Sequence, residues 1–357
     1  MSSTFRKQIN SMKSIHLLTF TLLIFISLKT NAQDVHFSQF WNTPLLQNAS
    51  FAGKSGANIR AIVNHKSQWG SVTTNPFKSY GVNLDMRLNG SSKDNFFGGG
   101  ISMYTDVAGA SNMRTTLVNL AAAYHIKIDN KNFISGGLQA GFNQKNIDNT
   151  DLRFDNQFDG AGHNSGLSSN ENLTNLSEIK PTASAGISYM WSNAFGKASN
   201  RAIKGKKEIN IGLAVHHFNS PRFNFVQQEK LGLKYIASFE GSFNDPSTPW
   251  TIKPAAFIAL QSKASDIVFG SLFEYTLNES SQITDLRNEV SIAFGGYYRF
   301  KDALIPTFQV RWNSFDIGFS YDVNLSQLSG ASQNNGGFEI SLKYCSLPKR
   351  KSGARFF

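Results

Sequence analysis

"KLGLKYIASFEGS", residues Lys230–Ser242, sets Leu231, Leu233, Tyr235, Ala237 and Phe239 on one face of an extended chain. Lys230, Lys234, Ser238 and Glu240 fall on or near the other. Successive side chains of a strand point to opposite faces, so this alternation predicts a strand lying between an apolar and a polar medium. Glu208–His217 repeats it, with Ile209, Ile211, Leu213 and Val215 opposite Asn210, Gly212, Ala214 and His216. In Glu289–Phe300, Val290, Ile292, Phe294, Tyr298 and Phe300 oppose Ser291, Ala293, Tyr297 and Arg299. Helical periodicity is almost absent from the chain.

Outward from these segments, the same reading predicts fourteen strands: 58–66, 77–87, 95–106, 115–128, 132–143, 182–191, 208–217, 230–242, 250–261, 266–277, 289–300, 303–312, 315–322 and 337–344. Most are longer than the roughly 5 or 6 residues usual in globular sheets. They approach the about 9 to 11 residues that a tilted strand needs to cross a bilayer. An even number of long strands with one apolar face predicts an all-β fold, a transmembrane antiparallel β-barrel. A secreted β-sandwich or soluble barrel also alternates and is the competing reading. Aromatic residues make up 13% of the chain, with 30 Phe, and charged residues only 17%, against a typical charged share of about 25%. That composition suits lipid-facing strands joined by polar turns. Joins after even-numbered strands should be short, as 129–131 and 313–314 are. The basic join 192–207 is long for that side, and "KD" at 301–302 is tight for the other.

The compartment follows from the start of the chain. Arg6, Lys7 and Lys13 precede the apolar run "IHLLTFTLLIFISL" (Ile15–Leu28), and "TNAQ" offers small residues for a cut after Ala32. This is the pattern of a cleaved signal peptide, residues 1–32, and of an exported protein. No later stretch reaches the roughly 18 apolar residues of a transmembrane helix. The formal charge of +11 falls to +7 without the four basic residues of that leader. In an exported chain the remaining positive balance points to anionic lipid, glycan or an acidic protein rather than nucleic acid. Cys345 is the only cysteine, so neither a disulfide framework nor a thiolate metal site is expected.

Between leader and first strand lies "DVHFSQFWNTPLLQNASFAG", Asp34–Gly53, too irregular for a strand or an amphipathic helix. An extended segment cannot cross lipid unpaired. Its aromatics Phe37, Phe40 and Trp41 suit packing on inner walls, and Ser38, Gln39, Asn42 and Asn48 suit the polar groups there. Pro44 and Gly53 would shape the turns into the first strand. Residues 33–57 are therefore expected to act as an N-terminal plug or entry segment, 58–344 as the barrel and 345–357 as a basic periplasmic tail. A solvated lead-in is the bland alternative, and the tail reads equally as a solubilising strip or a docking strip for an acidic partner.

"FSQFWNTPLLQNASFAG" followed by "RAIVNHKSQW" (Arg60–Trp69) resembles the start of the PorP/SprF family of type IX secretion system membrane proteins. That family opens with a Phe-Ser-Gln-aromatic box, a Pro, an Asn-Pro-Ala-like step and Ala-Gly, then Arg and Gln-Trp. Here Ala49-Ser50 stands where Pro-Ala is usual. Weaker matches continue in "LRFDNQFDG" (Leu152–Gly160), "IGLAVHHFNSPRFNF" (Ile211–Phe225) and "KPAAFIALQSKASDIVFGSLFEY" (Lys253–Tyr275). The resemblance implies an outer-membrane component of type IX secretion, in some members linked to gliding motility. Implied partners are a cell-surface adhesin or its C-terminal cargo domain, periplasmic ring and motor proteins, and outer-membrane lipid. The residues marked for partner binding or plugging are Phe37, Ser38, Gln39, Phe40, Trp41, Pro44, Asn48, Gly53, Arg60, Gln68 and Trp69.

Catalytic and cofactor signals are absent from the sequence pattern. His216 and His217 are adjacent on an expected strand and should point to opposite faces, and no phosphate loop or Gly-x-Ser-x-Gly elbow occurs. "DNQFDG" (Asp155–Gly160) begins like a calcium loop, but its twelfth position is Gly166 rather than Glu, which favours a solvated loop. Lys230, Lys234, Glu240, Glu274, Arg299, Arg311 and Asp316 are expected to face the lumen, as an ion-paired interior or as a conduction path. No enzyme, no cofactor and no metal are expected. The leading function is a non-enzymatic secretion component, with a small-solute transport barrel as the alternative.

Overall fold

The computed structural model describes residues 36–346 apart from 71, 72, 74, 89–94, 110, 149–151, 161, 165, 171–175, 195–204, 225–227, 279–288 and 327–331. The leader, most of the basic join and the tail from residue 347 lie outside the described residues. Fourteen strands form one closed antiparallel barrel. In chain order they are β1 (Ile59–Gln68), β2 (Phe77–Arg87), β3 (Phe96–Ala108), β4 (Met113–Lys127), β5 (Asn132–Asn146), β6 (Ser177–Ser192) and β7 (Lys207–His216). After a small hairpin, β8 (Arg222–Asn224) with β9 (Gln228–Lys230), come β10 (Lys234–Asn244), β11 (Trp250–Gln261), β12 (Ala264–Asn278), β13 (Val290–Arg299), β14 (Ala303–Trp312), β15 (Phe315–Asn324) and β16 (Asn335–Cys345). The barrel closes where β1 pairs β16, in unbroken register from Arg60↔Cys345 to Gln68↔Gly337. Among the described residues, no helix is long and apolar enough to cross a membrane.

Alternation sets which side of the wall each residue faces. In β15, Phe315, Ile317, Phe319 and Tyr321 point out, while Gly318, Ser320, Asp322 and Asn324 are buried inside. Leu213, Ile211 and Phe294 lie on the outer face at 54%, 44% and 49% exposure, values that in water would expose a continuous apolar belt and in lipid would not. Aromatic side chains gather near both rims. Trp250, Trp312, Phe315 and Tyr344 lie by the mouth where β1 begins, here called the entry mouth. Tyr80, Phe300, Tyr321 and Phe338 lie by the opposite, far mouth.

Two expectations are corrected. The strand predicted from residue 230 begins at Lys234; Lys230 belongs to the hairpin and is exposed rather than luminal, and Leu233 lies outside the strand. The Leu231 amide bonds the Pro221 carbonyl at 2.9 Å, so the alternation of Leu231 and Leu233 continues hairpin structure instead of the wall. His217 does not face away from His216 on a strand. The strand ends at His216, His217 takes a left-handed φ of 56°, and both side chains are buried.

Strands β5 and β6 run past their predicted ends into polar residues, pairing through Asn143↔Lys180 to Asn146↔Ser177. Hydrophobic alternation marks strands only where they face lipid, so this wet extension carries no signal. The tight joins are made by left-handed residues, Lys301 (φ 60°), Asn313 (φ 57°) and Ser262 (φ 52°), the backbone that short hairpins require. In the turn after β4, the amides of Lys131 and Asn132 donate to Asp129 and hold its carboxyl below the usual range.

Replacing Phe294 or Ile211 by Arg is expected to cost roughly 2–4 kcal/mol near the midplane. Gln309→Arg, facing the polar interior, should cost well under that. Urea unfolding in lipid vesicles checks the difference; equal costs on both faces would contradict the register.

Candidate functional site

The residues before β1 are buried against inward-facing side chains from strands all around the wall. Phe37, Ser38, Gln39, Phe40, Asn42, Thr43, Leu45, Gln47, Asn48 and Ser50 are all under 5% exposed. Local structure is three short turns: a 3-10 turn at Phe40–Asn42, one helical turn α1 (Pro44–Gln47), and a second 3-10 turn at Ala49–Phe51. Pro44 sits at the first helical position, where its missing N–H is not needed. The Gln47 amide donates to the Phe40 carbonyl at 2.6 Å and the Thr43 hydroxyl donates to it at 2.8 Å, folding the segment on itself.

Near the far mouth the segment is held by charge. The Glu339 carboxylate accepts the backbone N–H groups of Ser38 (2.6 Å) and Gln39 (3.2 Å). The Ser38 hydroxyl donates to Asp322 at 2.6 Å and accepts from Arg299 at 2.9 Å. Asp322 in turn pairs with Lys66 at 3.2 Å and Arg299 at 3.0 Å. The Gln39 side chain accepts from Ser341 at 2.7 Å, so two consecutive residues bind the strands that close the barrel. Charge-assisted bonds of this kind are about twice as strong as neutral ones.

The middle is aromatic. Phe40 stacks on Phe257 with centroids 5.4 Å apart, and Trp41 stacks on Tyr297 at 4.4 Å. Two cavities lie in the lumen beside the segment. One of 310 Å³ lies toward the far mouth and is lined by His36, Gln68, Trp69, Asp106, Arg299 and Asn324, among others. The other, of 270 Å³, lies toward the entry mouth and is lined by Trp41, Glu240, Lys253, Glu274, Arg311 and Lys343, among others. Most of its charges are paired: Lys253 with Glu274, Arg311 with Glu274 and Asp316, Lys343 with Asp316.

Toward the entry mouth the segment touches the wall backbone directly. The Asn48 side chain donates to the carbonyls of Ile187 (3.0 Å) and Leu213 (3.1 Å), residues paired across β6 and β7. Its oxygen caps the following turn by accepting Ser50 N–H at 2.9 Å. The Ser50 and Ser188 hydroxyls meet at 2.8 Å. A Cβ on Gly186 would overlap Asn48, one on Gly137 would overlap Ser50, and one on Gly98 would overlap Ala52; only glycine permits this approach. Gly53 turns the chain at φ 70° and donates to Asp85 at 2.8 Å. Arg60 bonds Asp85 at 2.8 Å and the Phe51 carbonyl at 3.2 Å. His125 bridges the Ala52 carbonyl and Ser135, and His216 meets the Gln47 carbonyl.

Phe37, Ser38, Gln39, Phe40, Trp41, Pro44, Asn48, Gly53 and Arg60 thus come together. Gln68 and Trp69 do not join them directly; they lie at the other end of β1 and line the far cavity with His36. Asp85, His125, Asp322 and Glu339 were missed as site residues by pattern reading, and Arg299 was expected only as a luminal charge. Their signal was an ionisable residue or glycine at an inward step of an apolar alternation. In the loop once read against a calcium motif, side chains serve the loop itself, Gln157 accepting Phe154 N–H and Asp159 accepting Gly162 N–H.

Residues 29–344 match the family described as Type IX secretion system membrane protein PorP/SprF. The chain belongs to that family. No curated protein matches it. Solved structures similar to this PorP/SprF member include "TodX deltaS2S3 mutant monoaromatic hydrocarbon channel" at 10% identity and TM-score 0.44, covering 86% of this chain and 94% of that one. "CymD monoaromatic hydrocarbon channel" matches at 9% and 0.43, covering 89% and 95%. BamA from Haemophilus ducreyi lacking POTRA domains 1-3 matches at 9% and 0.39, covering 81% and 70%. At those values the likeness is one of barrel architecture alone. Family and fold together place the protein as an outer-membrane component of type IX secretion.

Asn48→Ala removes two bonds to wall carbonyls and a turn cap, and is expected to cost about 1–3 kcal/mol. Thermal unfolding and limited proteolysis of the segment check this. An unchanged melting profile would mean that Asn48 does not hold the segment.

Proposed function

We propose that this PorP/SprF protein is a non-enzymatic holding component of type IX secretion. It supports export or surface anchoring of large adhesin-type cargo through the cargo's C-terminal domain, and it contacts the periplasmic secretion or gliding machinery. Residues 33–57 act as a plug that keeps the barrel closed and shapes the face offered to partners. Family membership supports the secretion role. The observation that carries the closed reading is the aromatic cluster in which Phe40 and Trp41 of the segment stack on Phe257 and Tyr297 of the wall inside the lumen. Paired charges in the entry-mouth cavity also support it, since ion pairs satisfy charge in place and leave fewer free groups for a permeating solute.

Deletion of residues 34–50 should leave a folded, heat-modifiable barrel that conducts in planar bilayers and no longer co-purifies with its adhesin or ring partner. The intact protein should be closed and should retain that partner. If the intact barrel conducts small solutes steadily and captures no secretion component, the transport alternative replaces this reading.

A further inference from the structure

The direction in which the N-terminal segment runs through the lumen carries a consequence for the membrane topology of the chain. His36 lines the far cavity beside Gln68 and Trp69 at the end of β1, Arg299 at the end of β13, and Asn324 at the end of β15. Gly53 and Lys54 instead meet Asp85 at the end of β2, and Ser188 and Asn210 by the start of β7, at the entry mouth. The chain therefore crosses the whole lumen antiparallel to β1 before β1 starts.

The two mouths are unequal. The far mouth carries the longest joins, 147–176 and 217–233, with the hairpin β8–β9 and the polar extensions of β5 and β6. The entry mouth carries the short joins 128–131, 245–249 and 313–314; its longest, 193–206 and 279–289, are shorter than the two longest at the far mouth, which also has tight turns at 109–112, 262–263 and 300–302. Outer-membrane barrels turn tightly in the periplasm and loop widely outside, which makes the far mouth the cell-surface one.

We infer that the segment opens at the cell surface, with His36 accessible through the far mouth and the barrel wall closed around the residues that follow it. His36 is then reached from the cell surface and not from the periplasm. This rests on the path of the segment and the orientation of the barrel, and it is independent of the proposed role in secretion.

The test uses single cysteines in a Cys345→Ser background of the full chain: His36→Cys, Lys263→Cys in the β11–β12 turn at the far mouth, and Ser247→Cys in the β10–β11 turn at the entry mouth. Intact cells are treated with a membrane-impermeant maleimide. His36→Cys and Lys263→Cys should label in intact cells, and Ser247→Cys only after the outer membrane is permeabilised. Labelling of Lys263→Cys but not His36→Cys in intact cells, with His36→Cys labelled after permeabilisation, overturns the path. Labelling of Ser247→Cys alone in intact cells overturns the orientation and with it the surface display. If His36→Cys does not assemble or stays unlabelled throughout, a short epitope inserted between Gln33 and Asp34 decides. Antibody binding to intact cells is expected, and binding only after permeabilisation overturns the proposal.

Discussion

A strand in hydrocarbon has no water to bond, so every backbone N–H and C=O in the wall must find a partner in a neighbouring strand. The unbroken pairing of β1 with β16 meets that demand by removing both edges, and the rest of the structure follows from it. With apolar side chains committed to lipid, the opposite face of each strand collects the polar and ionisable residues: Lys66, Asp85, Glu274, Arg299, Arg311, Asp322 and Glu339. Groups so enclosed need partners, because leaving a buried polar group unbonded costs about as much as several good contacts contribute. Inter-strand ion pairs satisfy part of the set. The N-terminal segment satisfies another part, through Ser38 and Gln39 on Glu339, Asn48 on two wall carbonyls and Gly53 on Asp85.

Glycine makes that arrangement possible sterically. Inward positions at Gly98, Gly137 and Gly186 carry no Cβ, so the segment lies directly on the sheet backbone. A wall of ordinary residues would hold it at a distance and leave the Asn48 amide short of the Ile187 and Leu213 carbonyls. Wall and segment are thus complementary at the level of single atoms, which is the basis for regarding them as one functional unit rather than a barrel with a loose leader.

The lipid-facing part of this fold was legible because hydrophobic alternation is a direct record of lying between two media. Where strands leave the bilayer, as at Gln144–Asn146 and Ser177–Lys180, the record stops and predicted ends fall short. It misleads at Leu231 and Leu233, where alternation continues into a hairpin beyond the wall. The segment's composition marked its aromatics and amides as buried, but its partners were not legible. Pairing Ser38 with Glu339, or Asn48 with Leu213, joins positions far apart in sequence that meet only when the barrel closes. An inward glycine or acid within an apolar alternation was the available signal, and it says that something approaches the wall without saying what.

The central claim is that the segment is seated on the inner wall in the assembled protein. Ser50 and Ser188 offer the most direct measurement, since their hydroxyl oxygens lie 2.8 Å apart and cysteine replaces serine with little change of shape. In a Cys345→Ser background, Ser50→Cys with Ser188→Cys should form a disulfide in the outer-membrane fraction, read as a cross-linked peptide by mass spectrometry, because hydroxyls 2.8 Å apart bring the two thiols within reach of one another. Recovery of a folded, heat-modifiable barrel in which both thiols remain separate and alkylatable under oxidising conditions would contradict the account.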